Sequence, residues 1–309
     1  MKRSLLFRIG DLLLLPLIYP AGIILKLVRR AGVSRLPYCK RALLQVGVFP
    51  LRNHYYEPQF DFREESAPPT PKRDLPGIDW NTKEQLALLN QFNFTHELAN
   101  IPSYPRNALE FHFNNGAFES GDAEFLYQLI RLKMPRQIIE IGSGYSTLMA
   151  IKAIHKNMSE ASTYSCEHVC IEPYEMPWLE TAPVSVVREK VENLNPSFFS
   201  CLGENDILFI DSSHIIRPFG DVLYEYLQIL PCLNPGVIVH IHDIFSPNNY
   251  PTNWIRDDVK FWNEQYLLEA FLTHNNDWKI IGALGYIKAN HFDALKGIAP
   301  SMIPSTLPG

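Results

Sequence analysis

A chain of 309 residues, 46% hydrophobic and 20% charged, can bury one large core, or one core and a smaller unit. Its formal net charge of −5 argues against a nucleic-acid binder, which needs a basic surface to meet phosphates. The charge is uneven: residues 1–41 hold nine basic side chains and one acid, Asp11, a head of +8 on a body of −13.

Leu12 to Leu25 is a fourteen-residue run without a charge. It falls short of the ~20 residues of a spanning helix, and Pro16 and Pro20 should break it. Lys2, Arg3 and Arg8 flank it on one side and Lys26, Arg29 and Arg30 on the other. Residues 1–41 are therefore expected to be a basic, apolar helical extension. It should attach the protein peripherally to the inner, cytoplasmic face of a membrane, as an interfacial or re-entrant segment. A secretory signal begins in the same way, but no small-x-small cleavage site follows cleanly.

Residues 42–76 form a second segment, with Phe49, His54, Tyr55, Tyr56, Phe60 and Phe62 followed by a linker from Glu64 to Pro76 that contains Pro68, Pro69 and Pro71. Residues 77–309 are expected to be the main domain. Asn81 or Thr82 should cap a short helix through Asn90. Asn114-Asn115-Gly116, between Phe111–Phe113 and Ala117-Phe118, reads as a tight turn. Asp122 should cap a helix to about Lys133, ended by Pro135.

From Arg136 on, buried-strand runs alternate with helical stretches. The strands are expected at Gln137–Ile141, Tyr164–Ile171, Val184–Val187, Ile207–Asp211, Val237–His242 and Trp278–Ala283. Helices are expected at Thr147–His155, Phe219–Leu230 and Asp257–His274. This order predicts an α/β fold, a doubly wound, mostly parallel sheet with helices on both faces. Its ligand should sit beyond the carboxyl ends of the strands.

Five cysteines are present, none in a Cys-x-x-Cys pair. Cys166 and Cys170, with His168 between, are half of a possible metal site. The favoured reading is reduced thiols in or beside a strand, in a reducing compartment.

Four motifs carry the chemistry. In Ile138–Thr147 an apolar strand runs into Gly142-Ser143-Gly144 and opens a helix, so backbone N–H groups are free to meet a ligand. Thr147 stands where a dinucleotide fingerprint has its third glycine, which counts against NAD or FAD. Glu172, in Cys170–Tyr174, ends the second strand, where an acid can accept hydrogen bonds from ribose hydroxyls; Glu167 is the alternative. Asp211 leaves the buried run Ile207–Ile210, with His214 three residues on. His240 and His242 share a face of the next strand, and Asp243 stands at its tip.

These runs, Glu140-Ile-Gly-Ser-Gly, Ile171-Glu172-Pro173, Leu208–His214 and His240–Phe245, occur in an order that resembles class I S-adenosylmethionine-dependent methyltransferases. The resemblance covers about residues 110–290. It is strongest to the subgroup of cephalosporin hydroxylase-like proteins and metal-dependent sugar O-methyltransferases. It implies a Rossmann-like fold and S-adenosyl-L-methionine as cofactor. Gly142, Ser143 and Gly144 would lie against the methionine part, Glu140 would reach its amino group and Glu172 the ribose. The segment around Val191 and Glu192 would lie near the adenine. Asp211 and Asp243 fall where catechol-type relatives keep a divalent metal, here magnesium or manganese. The final antiparallel strand of the family is not evident, since Gly285–Lys296 reads as loop or helix, and the basic head is not part of the shared core.

The expected reaction is methylation of a hydroxyl on a small-molecule acceptor, either saccharide, lipid-linked or natural-product-like. Candidate catalytic groups are Asp211, His214 and His242. Two other readings are a nicotinamide oxidoreductase, disfavoured by the missing glycine and the absence of a Tyr-x-x-x-Lys pair, and a membrane-associated cofactor binder without catalysis.

Overall fold

The computed structural model describes residues 2–51, 56, 58 and 73–302, with side chains from residue 6 onward. His54, Tyr55, Phe60 and Phe62 of the aromatic-rich segment, and residues 64–72 of the linker, lie outside the described residues. The chain divides into two units, Met1–Pro68 and Pro69–Gly309.

The first unit contains α1 (Lys2–Ala31) and α2 (Pro37–Val46). The expectation that Pro16 and Pro20 break the apolar run is overturned, since both lie inside one continuous helix. A proline removes one backbone hydrogen bond without ending a helix where its neighbours hold the geometry, and apolar helices tolerate this best in lipid. Leu6–Ala31 is long and apolar enough to cross a membrane, with a mean hydropathy of 1.9. Its 26 residues span about 39 Å at 1.5 Å each, more than the ~30 Å of a bilayer's hydrocarbon core. Leu12, Leu13, Leu17 and Ile24 are exposed. The α2 helix ends at Gly47, whose left-handed backbone closes it with bonds to Leu43 and Leu44.

In the second unit α3 (Thr82–Leu89) and α4 (Asp122–Lys133) precede the sheet. Asn81 stands before α3 but caps it with no side-chain bond. Asp122 is the first residue of α4 rather than its cap. Gly121 caps the helix, and the Glu124 carboxylate accepts from the Gly121 N–H at 2.7 Å. The Asn114–Gly116 turn joins no strands; the Asn115 carboxamide braces it, accepting from the N–H groups of Ala117 and Phe118.

The sheet elements follow: β1 (Gln137–Ile141), α5 (Tyr145–Glu160), β2 (Glu167–Ile171), β3 (Ser185–Val187), β4 (Ile207–Ile210), α6 (Asp221–Tyr224), β5 (Ile238–Ile241), α7 (Thr252–Arg256), α8 (Glu264–Leu272), α9 (Leu284–Asn290) and α10 (Phe292–Ile298). The five strands are all parallel, in the order β3-β2-β1-β4-β5. This is a Rossmann-like α/β sheet with helices on both faces. Alternation along each strand sends residues to two cores. Ile138, Ile207, Phe209 and Ile238 pack with residues of α4, α5, α9 and α10. Ile139, Ile141, Leu208 and Ile210 pack with Val222, Tyr226 and Ile229 on the other side.

Three expectations are corrected. Phe219–Leu230 is not one regular helix, because after Tyr224 the chain widens to a π turn over Glu225–Ile229. The stretch expected to be helical from Asp257 is irregular to Asn263 and becomes α8 only at Glu264. Trp278–Ala283 forms no strand among the described residues. Its backbone partners are side chains instead: Asn81 donates to the Ile280 carbonyl at 3.0 Å, and the Ala283 N–H donates to Gln85 at 2.6 Å.

Candidate functional site

Each of the adjacent strands β1, β4 and β5 delivers a candidate site residue just past its last pairing. The Gly142 N–H bonds the Ile171 carbonyl at 3.0 Å, that of Asp211 the Ile141 carbonyl at 2.8 Å, and that of His242 the Ile210 carbonyl at 2.9 Å. These bonds align the tips of β1, β4 and β5, so Gly142, Asp211 and Asp243 leave the sheet side by side.

The structure brings together Asp211, His214 and Asp243, whose ligand atoms all lie within 4.8 Å of one another. His214 Nε2 is 3.2 Å from Asp211 Oδ1 and 3.7 Å from Asp243 Oδ2. Both His214 and Asp243 have a left-handed backbone, at φ 58°, a conformation that non-glycine residues hold only where surrounding structure enforces it. The loop is pinned for that purpose. Ser213 donates from its backbone and hydroxyl to Asp221 at 2.9 and 2.6 Å, and the Asn263 N–H bonds the His214 carbonyl at 2.9 Å.

Behind His214 stands a residue that sequence reasoning did not single out. Glu264 opens α8, is fully buried, and its Oε2 lies 2.8 Å from His214 Nδ1. Tyr226 donates to its other oxygen at 3.1 Å. An acceptor on that side places a proton on Nδ1 and leaves Nε2 facing the two aspartates. A signal was present, since Glu264 heads the stripe that continues through Leu267, Leu268 and Phe271, and an acid on an apolar helix face needs a partner. If the Asp211 cluster holds a divalent ion, Glu264→Gln should weaken its affinity about tenfold or more while leaving cofactor affinity unchanged, as measured by calorimetry with each ligand in turn. Unaltered ion affinity would mean that Glu264 serves only packing.

The electrostatics follow from this crowd of acids. Burial opposes the charge on His214, but its bonds to Asp211 and Glu264 win and raise its pKa to about 10. Burial also opposes charge on Asp211, yet the His214 bond and the nearby His242 hold it below the ordinary aspartate value. Asp243 is raised, chiefly by burial. Burial, reinforced by the charges of Glu264 and Asp221, pushes Glu225 well above the carboxylate range.

His242 is buried against Phe118 and Phe209, with Nε2 3.8 Å from Asp243 Oδ1. Burial also drives His240 down to about 3, so it is a neutral ring, stacked on Phe209 at 4.4 Å. On the other side of the cluster, Trp262 packs on His214 at 4.3 Å and Trp254 lies 5.2 Å from Trp262. The Lys260 ammonium sits 3.9 and 4.0 Å from the two indole rings.

The residues expected to bind cofactor are spread along the same edge. Gly142, at φ 78°, has no room for a side chain, because a Cβ would strike the Asp211 carbonyl. At Gly144 a Cβ would meet only Met176 Cε, at 3.9 Å. The Ser143 hydroxyl is buried with no hydrogen-bond partner among the described residues. Glu140 is fully buried, and Thr147 donates to its Oε2. One oxygen of Glu172 accepts from the N–H groups of Tyr174 and Glu175, both at 3.0 Å. Glu192 lines an open cleft of about 870 Å³ with Tyr174, Arg188, Phe219 and Tyr224.

Residues 139–244 match the model of a family described as "Methyltransferase domain". That span runs from β1 past β5 and holds the glycine loop, Glu172, Glu192, Asp211, His214 and Asp243. The chain is also similar to a protein of Archaeoglobus fulgidus described as uncharacterized, at 33% identity over 138 residues. The aligned part covers 42% of this chain and 61% of that relative, so the chain spans less than two thirds of its length. No solved structure matches. The family match supports methyl transfer as the class of activity.

Proposed function

We propose that this protein is an S-adenosylmethionine-dependent O-methyltransferase that works at a membrane surface with a divalent ion, magnesium or manganese. The observation that carries the reading is the convergence of Asp211, His214 and Asp243 beside the glycine loop, inside the span that matches the methyltransferase family.

The residues fit both groups. For the cofactor, the unpartnered Ser143 hydroxyl and the open space at Gly144 offer a polar contact and a close approach for the methionine part. Glu172 has an oxygen left for a ribose, and the exposed rings of Tyr174 and Phe219 beside Glu192 offer faces for an adenine. For the ion, two carboxylates and an imidazole are suitable donors, and the oxygens favour magnesium or manganese. When bound, the cofactor supplies an electrophilic methyl group and the ion lowers the pKa of the acceptor hydroxyl.

The protein's own groups do the rest. Glu264 holds the proton on His214 Nδ1, so Nε2 is the atom offered to the ion. Among protein charges alone His214 stays protonated to about pH 10, which makes it a poor general base at neutral pH and a better ligand once its Nε2 proton is displaced. Trp254 and Trp262, with Lys260 over both rings, wall one side of the cluster, against which a saccharide, lipid-linked or natural-product-like acceptor would pack. Transfer of label from methyl-labelled cofactor to a saccharide or lipid extract, lost in chelator and restored by magnesium, tests the reading. Binding of cofactor without transfer to any extract would favour the non-catalytic alternative.

Helix α1 supports the membrane part. Its Leu12–Leu25 stretch carries no charge, and the basic residues after Leu25 favour a cytoplasmic position for the chain that follows them if the helix spans. Full-length protein should stay with membranes through alkaline carbonate and leave only in detergent, while a chain beginning near Ala42 should be soluble and keep its cofactor affinity. Release of the full chain by carbonate would reduce α1 to an interfacial segment.

A further inference from the structure

Away from the Asp211 cluster, β1 and β2 bring together a second set of ligand-type side chains. Their register pairs Glu140 with Cys170 and Ile138 with His168, so Glu140, His168 and Cys170 all lie on one face of the sheet. His168 Nε2 is 3.3 Å from Glu140 Oε1 and 3.9 Å from Cys170 Sγ, and the three ligand atoms lie within 4.8 Å of one another. Glu140 and Cys170 are 0% exposed and His168 is 4%. Cys166, the other cysteine of the Cys-x-x-x-Cys spacing, is not in the cluster; the carboxylate from the neighbouring strand stands there instead.

A buried histidine–glutamate pair normally aligns a hydrogen bond. Here the Glu140 Oε1 that faces His168 Nε2 has no hydrogen-bond partner among the described residues, and that Nε2 also faces the Cys170 sulfur. The two His168 separations, 3.3 and 3.9 Å, are close to the spacing of ligands around one small ion, since bonds of roughly 2.0–2.3 Å to a tetrahedral centre leave donors about 3.3–3.8 Å apart. One imidazole, one sulfur and one carboxylate suit a borderline-soft ion.

We propose that Glu140, His168 and Cys170 form a zinc site behind the glycine loop, and that zinc there competes with the cofactor for Glu140. The regulatory half rests on the methyltransferase reading; the metal half does not. Binding displaces the Cys170 thiol proton to solvent, with no change of oxidation state. Filling the site ties up Glu140 Oε1 and stiffens the loop that carries Ser143, so zinc acts as an inhibitor distinct from the ion at Asp211.

The test uses the full-length chain carrying Asp211→Asn and Asp243→Asn, which removes the other cluster. After chelation and dialysis against zinc, elemental analysis should find one zinc per chain. Cys170→Ser and His168→Gln should each lower zinc affinity at least about tenfold. Cobalt in place of zinc should give a thiolate-to-metal charge-transfer band that Cys170→Ser abolishes. The appearance of this band uses the intact ligand set and so does not depend on how the ligand variants fold. Zinc should also weaken cofactor binding at least about tenfold in calorimetry, and far less in His168→Gln. No thiolate band, with zinc binding indifferent to Cys170→Ser, would overturn the site. Zinc bound with undiminished cofactor affinity would overturn the competition. Failure of the cofactor to bind with or without zinc would instead count against the methyltransferase reading, while the zinc stoichiometry still decides the site.

Discussion

Asp211→Asn should abolish methyl transfer while leaving cofactor affinity within about twofold. The side chain holds His214 Nε2 at 3.2 Å and supplies one of the two aspartates of the cluster. Asparagine keeps its shape and removes its charge, so the proposed ion would lose an anionic donor and the proposed acceptor hydroxyl the charge that would ionise it. A loss of at least about 100-fold in rate is expected, equivalent to ~2.7 kcal/mol at 1.36 kcal/mol per decade. Cofactor binding should survive because the loop touches the backbone of Asp211, not its carboxylate. The Asp211 N–H bonds the Ile141 carbonyl, and Gly142 lies against the Asp211 carbonyl. Initial rates with labelled cofactor, in chelator-treated protein with and without added magnesium or manganese, measure the first part; calorimetry measures the second. Full activity of the wild-type chain in excess chelator would remove the ion from the reaction and return His214 or His242 to the role of general base.

Gly144→Leu should cost at least tenfold in cofactor affinity, about 1.4 kcal/mol, with no loss of thermal stability. The two glycines of the loop are not equivalent. Gly142 has a left-handed φ of 78° and no room beside Asp211, so any side chain there strains the backbone and displaces Asp211. A Gly142→Val variant that fails to bind therefore says little about the ligand. Gly144 has an extended backbone, at φ −173°, and open space, bounded only by Met176 Cε at 3.9 Å. A side chain added there fills the space that a close-lying ligand would use. Wild-type cofactor affinity in Gly144→Leu, with an unchanged melting temperature, would show that the cofactor does not lie against this loop.

Much of the sheet was legible from the chain itself. Gln137–Ile141 was read to the residue because it is an apolar run bracketed by Pro135 and Gly142, signals that act within a few residues. The failures share a cause. Trp278–Ala283 has the pattern of a strand, but Asn81 and Gln85 supply its backbone partners, and they lie about 200 positions away in the chain. Pro16 and Pro20 carry a helix-breaking signal, yet the surrounding apolar run of Leu and Ile continues the helix through them. Local propensity is a weak prior when partners come from elsewhere or when the helix has no competing structure.

The sequence by itself determined the five strands from β1 to β5, the glycine loop, and the delivery of Asp211 and Asp243 to strand tips. Hydrophobic period and turn residues are local properties, and a parallel α/β sheet follows from their alternation. Only the tertiary structure decided what those residues meet. It placed Glu264 against His214 across fifty residues, and so settled which ring nitrogen faces the aspartates. It put Glu140 rather than Cys166 beside His168 and Cys170, and it separated the crowded Gly142 from the open Gly144. Such pairings depend on strand register and on the depth at which a helix packs on the sheet, and no short stretch of sequence encodes either.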